Sequence, residues 1–104
     1  MATRSTVGIE KKGKFFAIYV HSDGHPSFML KNLPNKTQNV LNLIFSGDGS
    51  IIDNGKVVKN TKSYDDKPSV YHSKYSWLSD MKKMGCEYYY FWFKACNQWE
   101  YGCM

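Results

Sequence analysis

An alternating run, Thr3 to Glu10, and a hydrophobic run, Lys14 to His21, flank the pair Lys12-Gly13. A glycine-containing pair between two strand-like runs predicts a β-hairpin with a two-residue loop. That loop fixes the register. Ile9 faces Phe16, Val7 faces Ile18 and Ser5 faces Val20, which makes one continuous apolar face. A slip of one residue would break that face, so this register is favoured. The opposite face then carries Gly8 beside Ala17, Thr6 beside Tyr19 and Arg4 beside His21. The hairpin therefore gathers Arg4, Thr6, Tyr19 and His21 into one neighbourhood.

The second strand runs into His21-Ser22-Asp23-Gly24-His25-Pro26. Asp23-Gly24 ends the strand, with Gly24 free to take a positive φ. Pro26 fixes the exit of the turn and disfavours helix at His25. Ser27 to Leu33 reads as a connection, with Phe28, Met29 and Leu30 laid over the core. A helix is expected after Pro34, with Asn35 as N-cap and Gln38 completing a capping box. Val40, Leu41, Ile44 and Phe45 recur at helical spacing, and Gly47 is a natural stop. Asp48-Gly49 and Asn54-Gly55 are turns; Ile51-Ile52 and Val57-Val58 read as short strands or as plugs into the core.

Lys59 to Ser76 is polar and reads as a long loop. A second helix is expected from Trp77 to Met84, capped by Ser76, with Lys82-Lys83 near its negative end and Gly85 as its stop. Cys86 to Phe93, CEYYYFWF, is the strongest strand signal in the chain. It is aromatic on both faces and therefore suits a strand covered on both sides. Trp99 to Gly102 returns as the last strand. The order predicts an α+β fold: an antiparallel sheet of about four strands, built from two terminal hairpins, with two helices packed on one face.

A chain of 104 residues is read as a single domain, 1–104. Aromatic residues make up 16%, half of them contributed by eight tyrosines, so aromatic side chains must fill much of the core or remain for a partner. The formal charge of +5 comes from scattered lysines rather than a basic stripe, which weakens a nucleic-acid reading without removing it. Cys86, Cys96 and Cys103 form no CxxC pair and suggest neither a disulfide framework nor a zinc knuckle. Met1 to Ser5 does not read as a signal peptide, and no apolar run is long enough for a membrane-spanning helix. The expected compartment is a reducing cytoplasm.

The chemistry-bearing residues concentrate at the end of the second strand. His21, Asp23 and His25 have the side-chain types of a divalent-metal site. The Asp-Gly turn disrupts that geometry and no further ligand cluster exists, so no metal or other cofactor is assigned. A catalytic reading would join His21 to Asp23 or Glu10, with Ser5, Ser22 or Cys96 as nucleophile, but the spacing does not demand it. No catalytic residue is assigned, and Gly47-Asp48-Gly49 lacks the context of a phosphate loop. A binding surface suits the residues better. Arg4 and Thr6 offer an arginine fork and a hydroxyl to anionic oxygens, and Tyr19 and His21 offer rings for stacking. Asp23 and His25 complete this ligand-binding set. Tyr88, Tyr90 and Trp92 form a second aromatic set, expected at a protein interface.

The N-terminal third, Thr3-Arg4-Ser5-Thr6-Val7-Gly8-Ile9-Glu10 followed by Ala17-Ile18-Tyr19-Val20-His21 and Asp23-Gly24-x-Pro26, resembles a group of small bacteriophage proteins. Their pattern is roughly TRSxIGIE followed by AIYxHxDGxP. The ending Glu87-Tyr88-Tyr89-Tyr90 with a later Trp99 is similar too. Ser22 and His25 stand where the pattern often has aromatics, so a ligand stacked there would be held differently here. The resemblance implies a phage accessory protein acting in the host cytoplasm. The expectation is a non-enzymatic binding protein that counteracts a host defence system, by binding a host bacterial protein or sequestering a small nucleotide signal. The alternatives are a nucleic-acid-binding accessory protein and a small hydrolase using His21 and Asp23. A homodimer is compatible with the expected free edge of the N-terminal hairpin.

Overall fold

The computed structural model describes residues 3–60 and 64–104; residues 1–2, and 61–63 within the expected long loop, lie outside it. The first hairpin forms in the register expected. Strand β1 (Ser5–Lys11) pairs antiparallel with β2 (Lys14–Val20), and Ile9 faces Phe16, Val7 faces Ile18 and Ser5 faces Val20. Lys12 and Gly13 both take positive φ, the geometry that matches a two-residue loop to the twist of its strands.

The chain after β2 departs from expectation. Pro26–Asn32 is not a connection but a helix, α1. Pro26 occupies its first turn, where the missing N–H costs nothing, and His25 is its N-cap in extended conformation. Helix α2 (Thr37–Ile44) follows. Its N-cap is Lys36 rather than Asn35, and Gln38 does not close a capping box because its side chain donates instead to Asn42 Oδ1 at 3.1 Å. Strands β3 (Ile51–Asp53) and β4 (Lys56–Val58) form a second small hairpin around Asn54-Gly55.

The segment expected as one long loop holds two elements. β5 (Ser69–Tyr71) adds to the outer edge of β2, and α3 (Lys74–Lys83) begins a turn before Trp77. Ser73, not Ser76, caps α3, accepting the Ser76 N–H at 3.0 Å. β6 (Tyr88–Phe93) and β7 (Gln98–Cys103) close the chain as the terminal hairpin.

The main sheet has five strands in the order β5-β2-β1-β6-β7. β6 runs parallel to β1, so the sheet is mixed rather than antiparallel. Helices cover both faces rather than one. On the first face, Val7, Ile9, Ile18, Val20, Tyr90 and Trp92 pack against α1, α2 and the β3–β4 hairpin through Met29, Val40, Leu43, Ile44 and Ile52. On the second, Ala17 and Phe91 pack against Trp77 and Met81 of α3. The reason lies in β1, whose residues Ser5 to Ile9 are buried one after another. A strand buried on both sides needs a layer on each.

The second face is shaped to receive one side chain. Gly8 and Ala17 lie side by side and leave a shallow hollow, into which the Trp77 indole lowers. A Cβ on Gly8 would sit 2.7 Å from Trp77 Cζ2. The indole Nε1 donates to Thr6 Oγ1 at 2.8 Å, and that hydroxyl donates to Ile18 O at 2.8 Å. Gly8→Ala must displace the indole and stretch this chain of bonds. It should lower stability by roughly 1–3 kcal/mol, as overpacking of a dense core does. Urea unfolding should show a lower midpoint with an unchanged slope; an unchanged midpoint would mean that α3 docks without this contact.

Candidate functional site

The turn after β2 is built for structure. Asp23, not Gly24, takes the positive φ, at 55°. Gly24 is buried because its backbone serves two other elements: its N–H donates to Thr3 O at 2.9 Å, and its carbonyl accepts the Tyr90 hydroxyl at 2.7 Å. A Cβ there would meet Ser5 Cβ at 2.6 Å. His25 accepts the Ser27 N–H at its Nδ1 (3.1 Å) and packs edge-on against Tyr88. His21 bonds the Tyr19 hydroxyl through Nδ1 at 2.9 Å. The string His21, Asp23, His25 is therefore divided between a strand end, an exposed turn and a helix cap. Among the described residues no three His, Cys, Asp or Glu side chains converge as metal ligands.

The expected binding face is only partly assembled. Thr6 is fully buried beneath Trp77 and has no access to a ligand. Arg4 is exposed, but its Nη1 donates to Met84 O at 3.2 Å and lies 2.7 Å from the position of a Cβ on Gly85. It thus closes the end of α3. Tyr19 and His21 remain near the surface as a bonded pair. Burial pushes the Tyr19 phenol up, against the opposing pull of the Arg4 charge. The same two influences act on the neighbouring Cys86 thiol, and burial prevails, pushing it up to about 12. A thiol so held is a packing group, not a nucleophile. Asp48 anchors the other side by accepting the Tyr19 N–H at 2.8 Å, and burial raises its carboxyl above the ordinary value.

The expected aromatic interface is corrected at Tyr90 and Trp92. Tyr90 and Trp92 are 0% and 1% exposed, and Tyr88 is half-buried against the same core. The parallel register sets Tyr90 beside Val7 and Trp92 beside Ile9, which commits them to the α1–α2 face. Their polar atoms are spent inside: Trp92 Nε1 donates to Thr37 Oγ1 at 2.9 Å. Tyr90→Ala and Trp92→Ala should each cost about 3–5 kcal/mol and unfold much of the protein. Native-like circular dichroism of either variant at room temperature would contradict this assignment.

The alternate residues of the same strand build a site that the sequence reading did not single out. Phe91 and Phe93 project from β6 onto the α3 face, and Phe15 from β2 joins them. Phe91 and Phe93 stand edge to face, with centroids 5.0 Å apart, and Phe15 lies 5.9 Å from Phe91. With Lys74, Lys94 and Glu10 at the rim they enclose an open cleft of about 530 Å³. Phe93 is 42% exposed, a large apolar surface to leave in water. The Lys74 ammonium sits 4.9 Å from the centre of the Phe91 ring and pairs with Glu100 at 2.5 Å. Tyr89 donates its hydroxyl to the same carboxylate at 2.9 Å. The one available signal was parity: Phe15 shares a face with Ala17 and Tyr19, but only the β1–β6 pairing tells which half of YYYFWF joins it.

The Lys74 bond holds the Glu100 carboxyl below its ordinary value of 4.5, outweighing the opposing effect of burial, and Tyr89 adds to it. The folded protein therefore binds this proton less tightly than the unfolded chain. The stabilisation is complete above the ordinary glutamate value and is lost as pH falls through the lowered one. Glu100→Gln should remove it, giving a flatter loss of stability on acidification between about pH 6 and pH 3. Urea midpoints across that range test this; curves that fall in parallel would refute it.

No helix among the described residues is long and apolar enough to cross a membrane. No family of known proteins, curated protein sequence or solved structure matches the chain.

Proposed function

We propose that this chain is a small, non-enzymatic binding protein of bacteriophage origin. It counteracts a host defence system in the host cytoplasm by occupying a host protein. One observation favours a protein target: the open cleft of Phe15, Phe91 and Phe93. Its rings stand at 84° and 35° to one another instead of lying flat, which suits an inserted apolar side chain better than a stacked base. Two of the titratable groups at its rim are engaged within the fold. Glu10 accepts the Gly13 N–H at 2.9 Å, and Lys74 is paired with Glu100. A hydrolase using His21 and Asp23 finds less support, because His21 bonds Tyr19 while Asp23 stands in an exposed turn.

The second reading is a sequestered nucleotide signal. It is favoured by the exposed Arg4 and by the Tyr19–His21 pair near it. Thr6 has no place in that site, and neither Asp23 nor His25 is drawn into it. A nucleic-acid-binding role is the third reading and carries its own signature, an affinity that falls steeply with salt.

Purification of the tagged protein from bacteria carrying active defence systems separates these readings. The expected result is a stoichiometric host protein, lost with Phe93→Ala and retained with the Arg4→Ala, His21→Ala pair. Because Phe93 is exposed at the cleft mouth, its truncation should leave the fold intact while weakening the complex at least tenfold, about 1.4 kcal/mol. A heat-released nucleotide, lost with Arg4→Ala, His21→Ala and indifferent to Phe93→Ala, would overturn the protein-target reading in favour of the second. Salt-sensitive nucleic acid in the eluate would favour the third.

A further inference from the structure

Strand β7 ends the main sheet, and its outer side is open. The register with β6 runs without a break from Tyr88–Cys103 to Phe93–Gln98. Among the described residues, no backbone hydrogen bond joins Gln98–Cys103 to anything except β6. Edge strands ordinarily carry something that prevents further pairing: a charged side chain, above all a lysine, a proline, a bulge or very short length. QWEYGC has six residues, no lysine, no proline and no bulge, and its one charged side chain, Glu100, is paired with Lys74. The other edge is managed differently. There β5 is only three residues long, and the segment around Gly49 takes up the far half of β2 through His21 N to Gly49 O at 3.0 Å and Gly49 N to Tyr19 O at 3.0 Å. The N-terminal hairpin, expected from the sequence to offer the free edge, lies inside the sheet instead.

We propose that β7 pairs antiparallel with β7 of a second copy, about a two-fold axis through Tyr101, joining the two sheets into one. The register follows from side chains and charge. An axis perpendicular to the sheet keeps each face on its own side, so only pairings that preserve parity are allowed. With Tyr101 on the axis, Tyr101 opposes Tyr101 of the second copy, Glu100 opposes Gly102, Trp99 opposes Cys103 and Gln98 opposes Met104. Moving the axis to Glu100 would set two carboxylates against each other, which is unfavourable. Moving it to Gly102 would place Glu100 against Met104 and leave no aromatic pair on the axis.

Tyr101 is prepared for this contact. It is 47% exposed, and its ring is stacked on Tyr90 at 5.9 Å and 20°, so one face is already supported while the rest awaits a neighbour. Glu100, the only charged side chain on the strand, is neutralised within its own copy by Lys74. The second copy therefore meets an edge with no uncompensated side-chain charge, unlike the turns that follow β1 and β6, which carry Lys12 and Lys94.

Light scattering of the full chain tests this together with Tyr101→Lys, which places two like charges on the axis. Wild type should have the mass of a dimer, and Tyr101→Lys that of a monomer with an unchanged circular dichroism spectrum. A second measurement reads the closeness of the two edges directly. In a Cys96→Ser, Cys103→Ser background, Tyr101→Cys should form a disulfide-linked dimer roughly tenfold faster than Val70→Cys on the β5 edge, since only the former is held opposite its copy. A monomeric wild type, or cross-linking at residue 101 no faster than at residue 70, would overturn the proposal.

Discussion

The Trp77 indole resting on Gly8 is the contact on which the second half of the architecture depends. β1 is covered on both sides, and a covered strand leaves its neighbours little freedom. On one face it presents Val7 and Ile9 to a broad apolar layer. On the other it presents Thr6 and Gly8, residues too small to fill space themselves. The hollow they leave is the seat of α3. Thr6 then satisfies the indole N–H, so the one polar group that Trp77 carries into the interior is not stranded there. α3 is held at its other side by the Tyr71 hydroxyl, which donates to Asp80 Oδ2 at 2.6 Å and whose acidity burial suppresses to about 12. At its C-terminus Arg4 bonds the Met84 carbonyl and Gly85 turns the chain at φ 89°. Arg4 and Thr6 were attractive as ligand groups because they share a face with Tyr19. They share it because they clamp α3.

The sequence was informative wherever the governing interactions are local. The Lys12-Gly13 loop set the register of the first hairpin because two residues in positive φ permit only one arrangement of the flanking strands. The apolar spacing of Val40 and Ile44 located α2, and Gly47 and Gly85 marked where helices stop. What stayed hidden depended on contacts distant in the chain. Pro26 signals the end of an extended segment and the first turn of a helix equally well, and the burial of Met29 decides for helix. Ser73 and Ser76 are both acceptable caps, and the docking of β5 on β2 selects the earlier one. YYYFWF alternates between two aromatic sets, so no internal pattern tells which set is core. That choice is made by pairing with β1, a partner at the opposite end of the chain.

The candidate site shows the same division. His21, Asp23 and His25 stood out because histidine and aspartate near a turn have many chemical uses. In the structure each meets a nearby need: a strand-end bond to Tyr19, a left-handed turn and a helix cap. The Phe15–Phe91–Phe93 cleft has no such signature, since phenylalanines in strands are ordinary core residues. It becomes a surface feature only because α3 begins at Lys74 and its body lies over Gly8 and Ala17, leaving the far end of the sheet uncovered. The position of one helix along the sheet thus leaves Phe93 exposed while Phe91 stays buried beside it.

The parallel pairing of β1 with β6 also governs how the chain reaches its final form. Ser5 pairs with Tyr88, and Thr6 bonds Trp77 across 71 positions of sequence. Contacts of such separation make folding slow, because a long loop must close before they contribute. During synthesis the first hairpin, α1, α2 and the small β3–β4 hairpin can assemble early, but β1 keeps one face bare until α3 emerges and one side unpaired until β6 leaves the ribosome. A truncation or a stalled ribosome anywhere before Tyr88 therefore leaves an exposed apolar strand edge, the surface that chaperones hold and that aggregation uses.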